Sequence, residues 1–270
     1  MMALSPVELG GSVERNRMRG ALVTGASRGI GRATAIALSE RGEKLAVHYG
    51  SRREEAEQTL SALHGDGHVL IGGDLSAPGT AQRVVEEAVA ELGQVDVLVN
   101  NAGIAPGTET DHRVDEVDFA TWQQRLTRMI DVDLTAPANL SYLVARSLIA
   151  RQAPGVIVNV GSRGAFRGEP DAPAYAAAKA GLHAFGQSMA VALAPHGIAV
   201  ASVAPGFVAT ERQQDKLAGP DGASLRAQSP FGRVGTAEEV AAAILYLTAP
   251  EAQWASGTIL DLNGASHLRT

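Results

Sequence analysis

From about residue 20 onward, short apolar runs alternate with stretches of helical periodicity, and that alternation constrains the fold more than any other property of the chain. The runs Ala21–Thr24, Lys44–Tyr49, Val69–Gly72, Val95–Asn100, Val156–Val160, Ala199–Ala204 and Thr258–Asp261 read as strands. Helical patterns fill 30–41, 52–63, 78–92, 119–150, 174–194 and 237–248. Within 78–92 the residues Val84, Val85, Ala88 and Leu92 form one apolar stripe, suited to lying on a sheet. Strands separated by helices pair in parallel through right-handed crossovers. The alternation therefore predicts an α/β fold: a doubly wound, mostly parallel sheet of seven strands with helices on both faces. No repeat or linker interrupts it, so residues 20–270 read as one domain and 1–19 as an N-terminal extension. At 270 residues the chain is long enough for one large core of this kind.

The first strand runs into a glycine loop. Residues 20–31 read Gly-Ala-Leu-Val-Thr-Gly-Ala-Ser-Arg-Gly-Ile-Gly, followed by an Ala-rich helix and a stop at Gly42. Loop amides and a helix N-terminus together form an anion site, with about half a positive charge from the helix dipole. The spacing G-x-x-x-G-x-G is neither the G-x-G-x-x-G dinucleotide fingerprint nor a P-loop, since no G-K-[ST] follows. An ordinary strand-to-helix turn would look the same in isolation.

A second constellation is chemical. Tyr175 and Lys179 stand four residues apart on a small-residue helix, with Ser162 thirteen residues upstream of the tyrosine. Positions i and i+4 share a helix face about 6 Å apart, so the ammonium lies beneath the phenol and favours its ionised form. Bringing a phenol from a pKa near 10 to neutrality takes about 4 kcal/mol, which a nearby cation in a partly dry site supplies. The result is a proton donor and acceptor for carbonyl and alcohol chemistry.

These motifs occur in one order: T-G-x-x-x-G-x-G at Thr24–Gly31, N-N-A-G at Asn100–Gly103, S-x12-Y-x-x-x-K at Ser162–Lys179, and P-G at Pro205–Gly206. Together they resemble the short-chain dehydrogenase/reductases over about residues 20–265, most closely the 3-oxoacyl-carrier-protein reductases in the T-G-A-S-R-G-I-G loop. The resemblance implies a Rossmann-type domain that carries a hydride between a nicotinamide and a carbonyl or secondary alcohol. It implies that Tyr175 is the acid, Ser162 its oxyanion partner, and Lys179 both the tyrosine's tuner and a ribose holder. It also implies that the coenzyme lies against Gly25, Ser27, Arg28, Gly29, Ile30 and Gly31, then Asp74-Leu75, then Asn101, Ala102 and Gly103. Pro205, Gly206, Val208 and Thr210 close the nicotinamide side, where Tyr175 and Lys179 also reach it.

The coenzyme type follows from the second strand. Readers of an adenosine 2′-hydroxyl end that strand in an acid, whereas His48-Tyr49-Gly50-Ser51-Arg52-Arg53 has none. Ser51, Arg52 and Arg53 stand there instead and suit a 2′-phosphate, and the resemblance implies that Arg28 approaches the same pocket, so NADP(H) is expected over NAD(H). Alternatively, Arg52 and Arg53 form a solvated first helical turn paired with Glu54–Glu57.

Two departures stand out. The family's helix asparagine is replaced by Asp133 in Asp131-Val132-Asp133-Leu134, a carboxylate that accepts but cannot donate when ionised. Its charge acts on Lys179 and Tyr175 and alters the pH profile of an enzyme that otherwise stays active; the alternative is a cofactor-binding protein in which Asp133 marks lost catalysis, against which the retained Ser162, Tyr175 and Lys179 argue. The gap from Asn101 to Asp133 is also long, and residues 104–128 are a substrate-pocket wall, a subunit contact or an inert loop.

Specificity is expected from 164–173 and from a lid near 208–230, with Phe166, Phe207, Leu217 and Leu225 as pocket or core. His183 and His196 read as packing or surface residues, and no His/Asp/Glu spacing calls for a catalytic metal. A net charge of −6 with 4% aromatics argues against a nucleic-acid partner. No run spans a bilayer, residues 1–19 lack a signal-peptide core, and cysteine is absent, so a cytoplasmic enzyme is expected. Small residues Gly181, Ala184, Gly186 and Ala190 let the helix at 174–194 approach a neighbour, giving a homotetramer, or a dimer, by the family's mode of pairing.

Overall fold

The structure, a computed structural model, describes residues 18–269; the predicted extension over 1–19 lies outside them apart from Met18 and Arg19. Seven strands form the main sheet: β1 (Gly20–Val23), β2 (Lys44–Tyr49), β3 (Val69–Gly72), β4 (Val97–Asn100), β5 (Gly155–Val160), β6 (Ile198–Pro205) and, numbered last in the chain, β9 (Ile259–Leu262). Their order is β3-β2-β1-β4-β5-β6-β9, and every pairing is parallel. The sheet is thus wholly parallel where the sequence predicts a mostly parallel one. β7 (Val208–Ala209) and β8 (Gly235–Thr236) form a separate two-stranded pair.

Side-chain alternation in register builds two cores. Leu22, Leu98 and Ile157 align across β1, β4 and β5 and face one layer. That layer includes α3 (Thr80–Leu92), α5 (Ala136–Arg151) and α6 (Pro173–Leu193). Val23, Val99 and Val158 face the other, built from α1 (Gly29–Glu40), α2 (Arg53–Ser61) and α9 (Ala237–Leu247). The stripe Val84, Val85, Ala88 and Leu92 is buried as expected. Because β1 leads outward to β2 and β3 while the chain returns through β4, the order reverses between β1 and β4. At such a switch point a crevice opens beyond the carboxyl ends of the strands.

The predicted helix at 119–150 is not continuous. It comprises α4 (Phe119–Ile130), a π-helical turn at Asp131–Thr135, and α5. Pro137 explains the break: it has no N–H for the carbonyl of Asp133 four residues back, and its ring crowds that carbonyl. The helix widens instead, with the Ala136 N–H bonding to Asp131 O, and Asp133 turns fully into the interior. Two short helices, α7 (Gln214–Ala218) and α8 (Gly222–Ala227), fill the predicted lid.

Candidate active site

A cavity of about 600 Å³ occupies the crevice, with walls from the ends of β1, β2, β3, β4, β5 and β6. At one end is the glycine loop. Gly25 has φ +61°, and a Cβ there would sit 2.8 Å from the Ala102 backbone, so only glycine fits this turn. The loop is clamped from the N-N-A-G segment: Asn101 Nδ2 donates to the carbonyls of Thr24 and Gly25, and Thr24 Oγ1 accepts from the amides of Asn101 and Ala102. Asn101 thereby holds the loop in shape besides lining the cavity. Gly31, in contrast, does not line it. A Cβ there would approach Asn101 Nδ2 and the Gly25 carbonyl to 2.4 Å, so this glycine serves close packing of helix on loop.

The N-terminus of α1 has no side-chain cap from Arg28 and no acid in its first turn. Its first amide, on Gly29, donates instead to Glu211 Oε2 at 3.0 Å, a carboxylate from the lid. The protein thus sets its own anion where the sequence predicts a phosphate site. Glycine cradle and stand-in carboxylate together fit the diphosphate of a dinucleotide coenzyme.

Farther along, Ser51, Arg52, Asp74 and Leu75 line the cavity. Arg52 pairs with Glu55 at 2.6 Å and Arg53 with Glu57 at 2.9 Å, both in exposed positions. The pairing expected of a solvated helical turn is present, and yet Arg52 also borders the cavity. Arg28 borders it too and has no partner among the described residues. Asp74 accepts from the Ser76 amide and hydroxyl, which hold its carboxyl below the usual range, with Arg128 adding to the effect.

At the other end stand Ser162, Tyr175 and Lys179, with Asp133 behind them. Ser162 leaves β5 and caps a 3₁₀ turn, Arg163–Phe166, by accepting from the Gly164 amide at 2.9 Å. Its hydroxyl also acts on the Tyr175 phenol, favouring the ionised form. Lys179 Nζ lies 5.8 Å from the Tyr175 ring centre, donates to Val160 O at 3.1 Å, and ion-pairs with Asp133 Oδ1 at 2.9 Å. The other carboxylate oxygen of Asp133 accepts from the Ile104 amide at 3.0 Å. Burial outweighs Lys179 and Ser162, so the Tyr175 pKa is raised, not lowered, and the negative charge of Asp133 pushes the same way.

Pro205, Gly206, Val208 and Thr210 line the cavity after β6, as do Phe207 and Leu225; Phe166 and Leu217 do not. Phe166 stacks on buried His183, which burial holds down at about 4. Of the long segment 104–128, Ile104, Ala105, Pro106, Asp111 and Arg128 form cavity wall. Fully buried His112 accepts from the Ala174 amide at 3.0 Å, fixing the start of the helix that carries Tyr175.

Sequence reasoning missed His112, His48, Arg128 and Glu211 as contributors. His48 accepts from the Gly25 amide and donates to Gly73 O, and burial keeps it neutral, with a pKa of about 4. Its place on the last inward position of β2 was the available signal. For Glu211 there was none, because the contact spans 182 residues.

Fold and site together define an oxidoreductase that acts on CH–OH groups with NAD(P)+ as acceptor. The chain belongs to the short-chain dehydrogenase family, whose model matches residues 19–221. It is 38% identical over 248 residues to the 3-oxoacyl-[acyl-carrier-protein] reductase FabG of Escherichia coli (strain K12), covering 92% of this chain and 97% of that one. It is also 38% identical to cis-4-hydroxycyclohexanecarboxylate dehydrogenase of Sinomonas cyclohexanicum, covering 91% and 95%. A short-chain dehydrogenase/reductase mutant from Serratia marcescens superposes with a TM-score of 0.81 at 31% identity, covering 92% and 97%.

Proposed function

We propose that the protein is an NADP(H)-dependent reductase of a ketone or 3-oxoacyl group. The observation that carries this is the convergence of Ser162, Tyr175 and Lys179 on one wall of a cavity whose far end is a glycine-rich anion cradle. The bound coenzyme supplies the hydride. Tyr175 gives its proton to the carbonyl oxygen as negative charge grows there, and the Ser162 hydroxyl hydrogen-bonds the same oxygen. A phenol whose pKa burial has raised is fully protonated at neutral pH, the state that reduction requires. Lys179, held between Val160 O and Asp133 and 5.8 Å from the Tyr175 ring centre, would hold the ribose hydroxyls of the coenzyme.

Arg28, Ser51 and Arg52 favour NADP(H), and no acid stands at the end of β2. An exposed ion pair such as Arg52–Glu55 is worth about 0.2–1 kcal/mol, so a 2′-phosphate readily takes the arginine from it. A KM at least about tenfold lower for NADPH than for NADH is expected; a preference for NADH would overturn this choice.

The direct test is NADPH oxidation with small ketones, diketones and 3-oxoacyl thioesters, run beside Tyr175→Phe. Turnover that disappears in the variant while NADPH still binds is the expected result. Coenzyme binding with no turnover, together with alcohol oxidation, would favour a secondary-alcohol dehydrogenase, the second reading that the hydroxycyclohexanecarboxylate relative supports. The same proposal includes a homotetramer. Tyr142 on α5 and Val191 on α6 are exposed on adjacent helices, and Tyr246 and Trp254 are exposed beyond β6.

A further inference from the structure

The Ser162 turn carries a second cation that the hydride chemistry does not use. Arg163 directly follows Ser162, is only 7% exposed, and lines the cavity. One terminal nitrogen donates to Ser266 Oγ and the other to Gln228 Oε1, the latter at 2.8 Å. Both acceptors are neutral. A guanidinium has five N–H donors, so these bonds orient the group and leave three without partners among the described residues.

Most carboxylates bordering the same end of the cavity are already engaged. Asp133 pairs with Lys179, Asp171 with Arg113, and Glu169 with Arg167 at 3.8 Å. Glu169 faces Gly164 and adds some attraction, but it forms no ion pair with Arg163. Burial, and next the positive charge of Arg167, both work against the charged guanidinium. A buried cation held by neutral oxygens is a costly arrangement unless an anion completes it. Arg167 and, from the lid helix α7, Lys216 add two more cations to the lining.

We propose that Arg163 is the anchor of an anion subsite, and that the substrate is a small oxo-acid whose carboxylate docks there while its ketone meets Ser162 and Tyr175. This rests on the reductase reading and names its substrate class. A planar fork with parallel N–H donors matches a carboxylate, and the two neutral hydrogen bonds preorganise it. Fixing the carboxylate also sets the distance from the anchor to the reacting carbon, which selects substrates by chain length.

The test compares 4-oxocyclohexanecarboxylate and 4-oxopentanoate, each with its methyl ester, in the wild type, Arg163→Gln and Gln228→Glu. The expected wild-type kcat/KM favours each acid by about 10- to 100-fold, the range of a charge-assisted bond. In Arg163→Gln the acid-to-ester ratio should fall to about 1. Gln228→Glu keeps the guanidinium and gives it an internal counter-ion, so the ratio should fall there as well even if the first variant folds poorly. Equal turnover of acids and esters by the wild type would overturn the anion subsite and leave the reductase reading standing. Absence of turnover of every ketone tried would count against the reductase reading instead. In that case calorimetric titration of the NADPH-loaded protein decides the subsite. Acids binding at least about tenfold more tightly than esters, with the difference lost in either variant, would sustain it; equal binding would overturn it.

Discussion

Asp133 puts a full negative charge where it reaches two groups at once, Lys179 at 2.9 Å and, through space, the phenol of Tyr175. An asparagine of the same shape would keep a hydrogen-bond acceptor for the Ile104 amide and remove the charge. Because Asp133 raises the Tyr175 pKa, Asp133→Asn lowers it. Reduction needs the protonated phenol, so the alkaline limb of kcat/KM for NADPH-dependent reduction should move to lower pH. Oxidation needs the phenolate, so its rising limb should move the same way. The measurement is a pair of pH–rate profiles, one in each direction; limbs that stay in place would show that the charge does not reach Tyr175. The residues of this site were legible because they form a short fixed-spacing motif on one helix and the turn before it. The sign of the tyrosine shift was not, since burial and the Asp133–Lys179 pair are set by tertiary packing.

The elements were legible to within a residue or two wherever one pattern held from end to end, as in β2, β3 and α3. Where the reading failed, at 119–150, the apolar periodicity ran on unbroken while Pro137 changed the hydrogen bonding beneath it. That proline was the visible signal, and its consequence is that Asp133 points inward. The lid was legible only as a glycine- and proline-rich segment, and its contact with α1 was not. Glu211 occupies the Gly29 amide at the positive end of a twelve-residue helix, where the sequence predicts a phosphate site. A coenzyme phosphate bound at this amide would displace the carboxylate and release the contact between the lid and α1. Glu211→Gln removes a competing charge worth about 0.3–1 kcal/mol at such a site. The variant should bind NADPH about two- to fivefold more tightly by fluorescence titration, and limited proteolysis should cut its coenzyme-free lid faster than that of the wild type. Unchanged affinity would show that Glu211 does not compete for the cradle.

Across the whole molecule, two buried histidines tie stability to pH. His48 bridges the glycine loop to the end of β3, and His183 lies under the Ser162 turn; burial lowers both from 6.5 to about 4. The unfolded chain therefore binds protons that the folded chain refuses, and stability rises with pH across this interval. The contribution is complete above about pH 6.5 and is lost as pH falls towards 4. Each histidine gives a slope of about 1.4 kcal/mol per pH unit and a total of about 3 kcal/mol, together a large share of the 5–15 kcal/mol typical of a folded domain. Carboxylates held low, such as Asp74, add to the loss only below their unfolded pKa near 4. Urea unfolding at pH 7.5, 6.5, 5.5 and 4.5 should show a midpoint that is flat above 6.5 and falls steeply below it, with an unchanged denaturant slope. His48→Asn offers the same acceptor and donor chemistry without titrating, so the fall between 6.5 and 4.5 should be about half as steep. A wild-type midpoint that holds constant down to pH 4.5 would mean that the two rings take up protons in the folded state, and that the glycine loop is held by something other than a neutral His48.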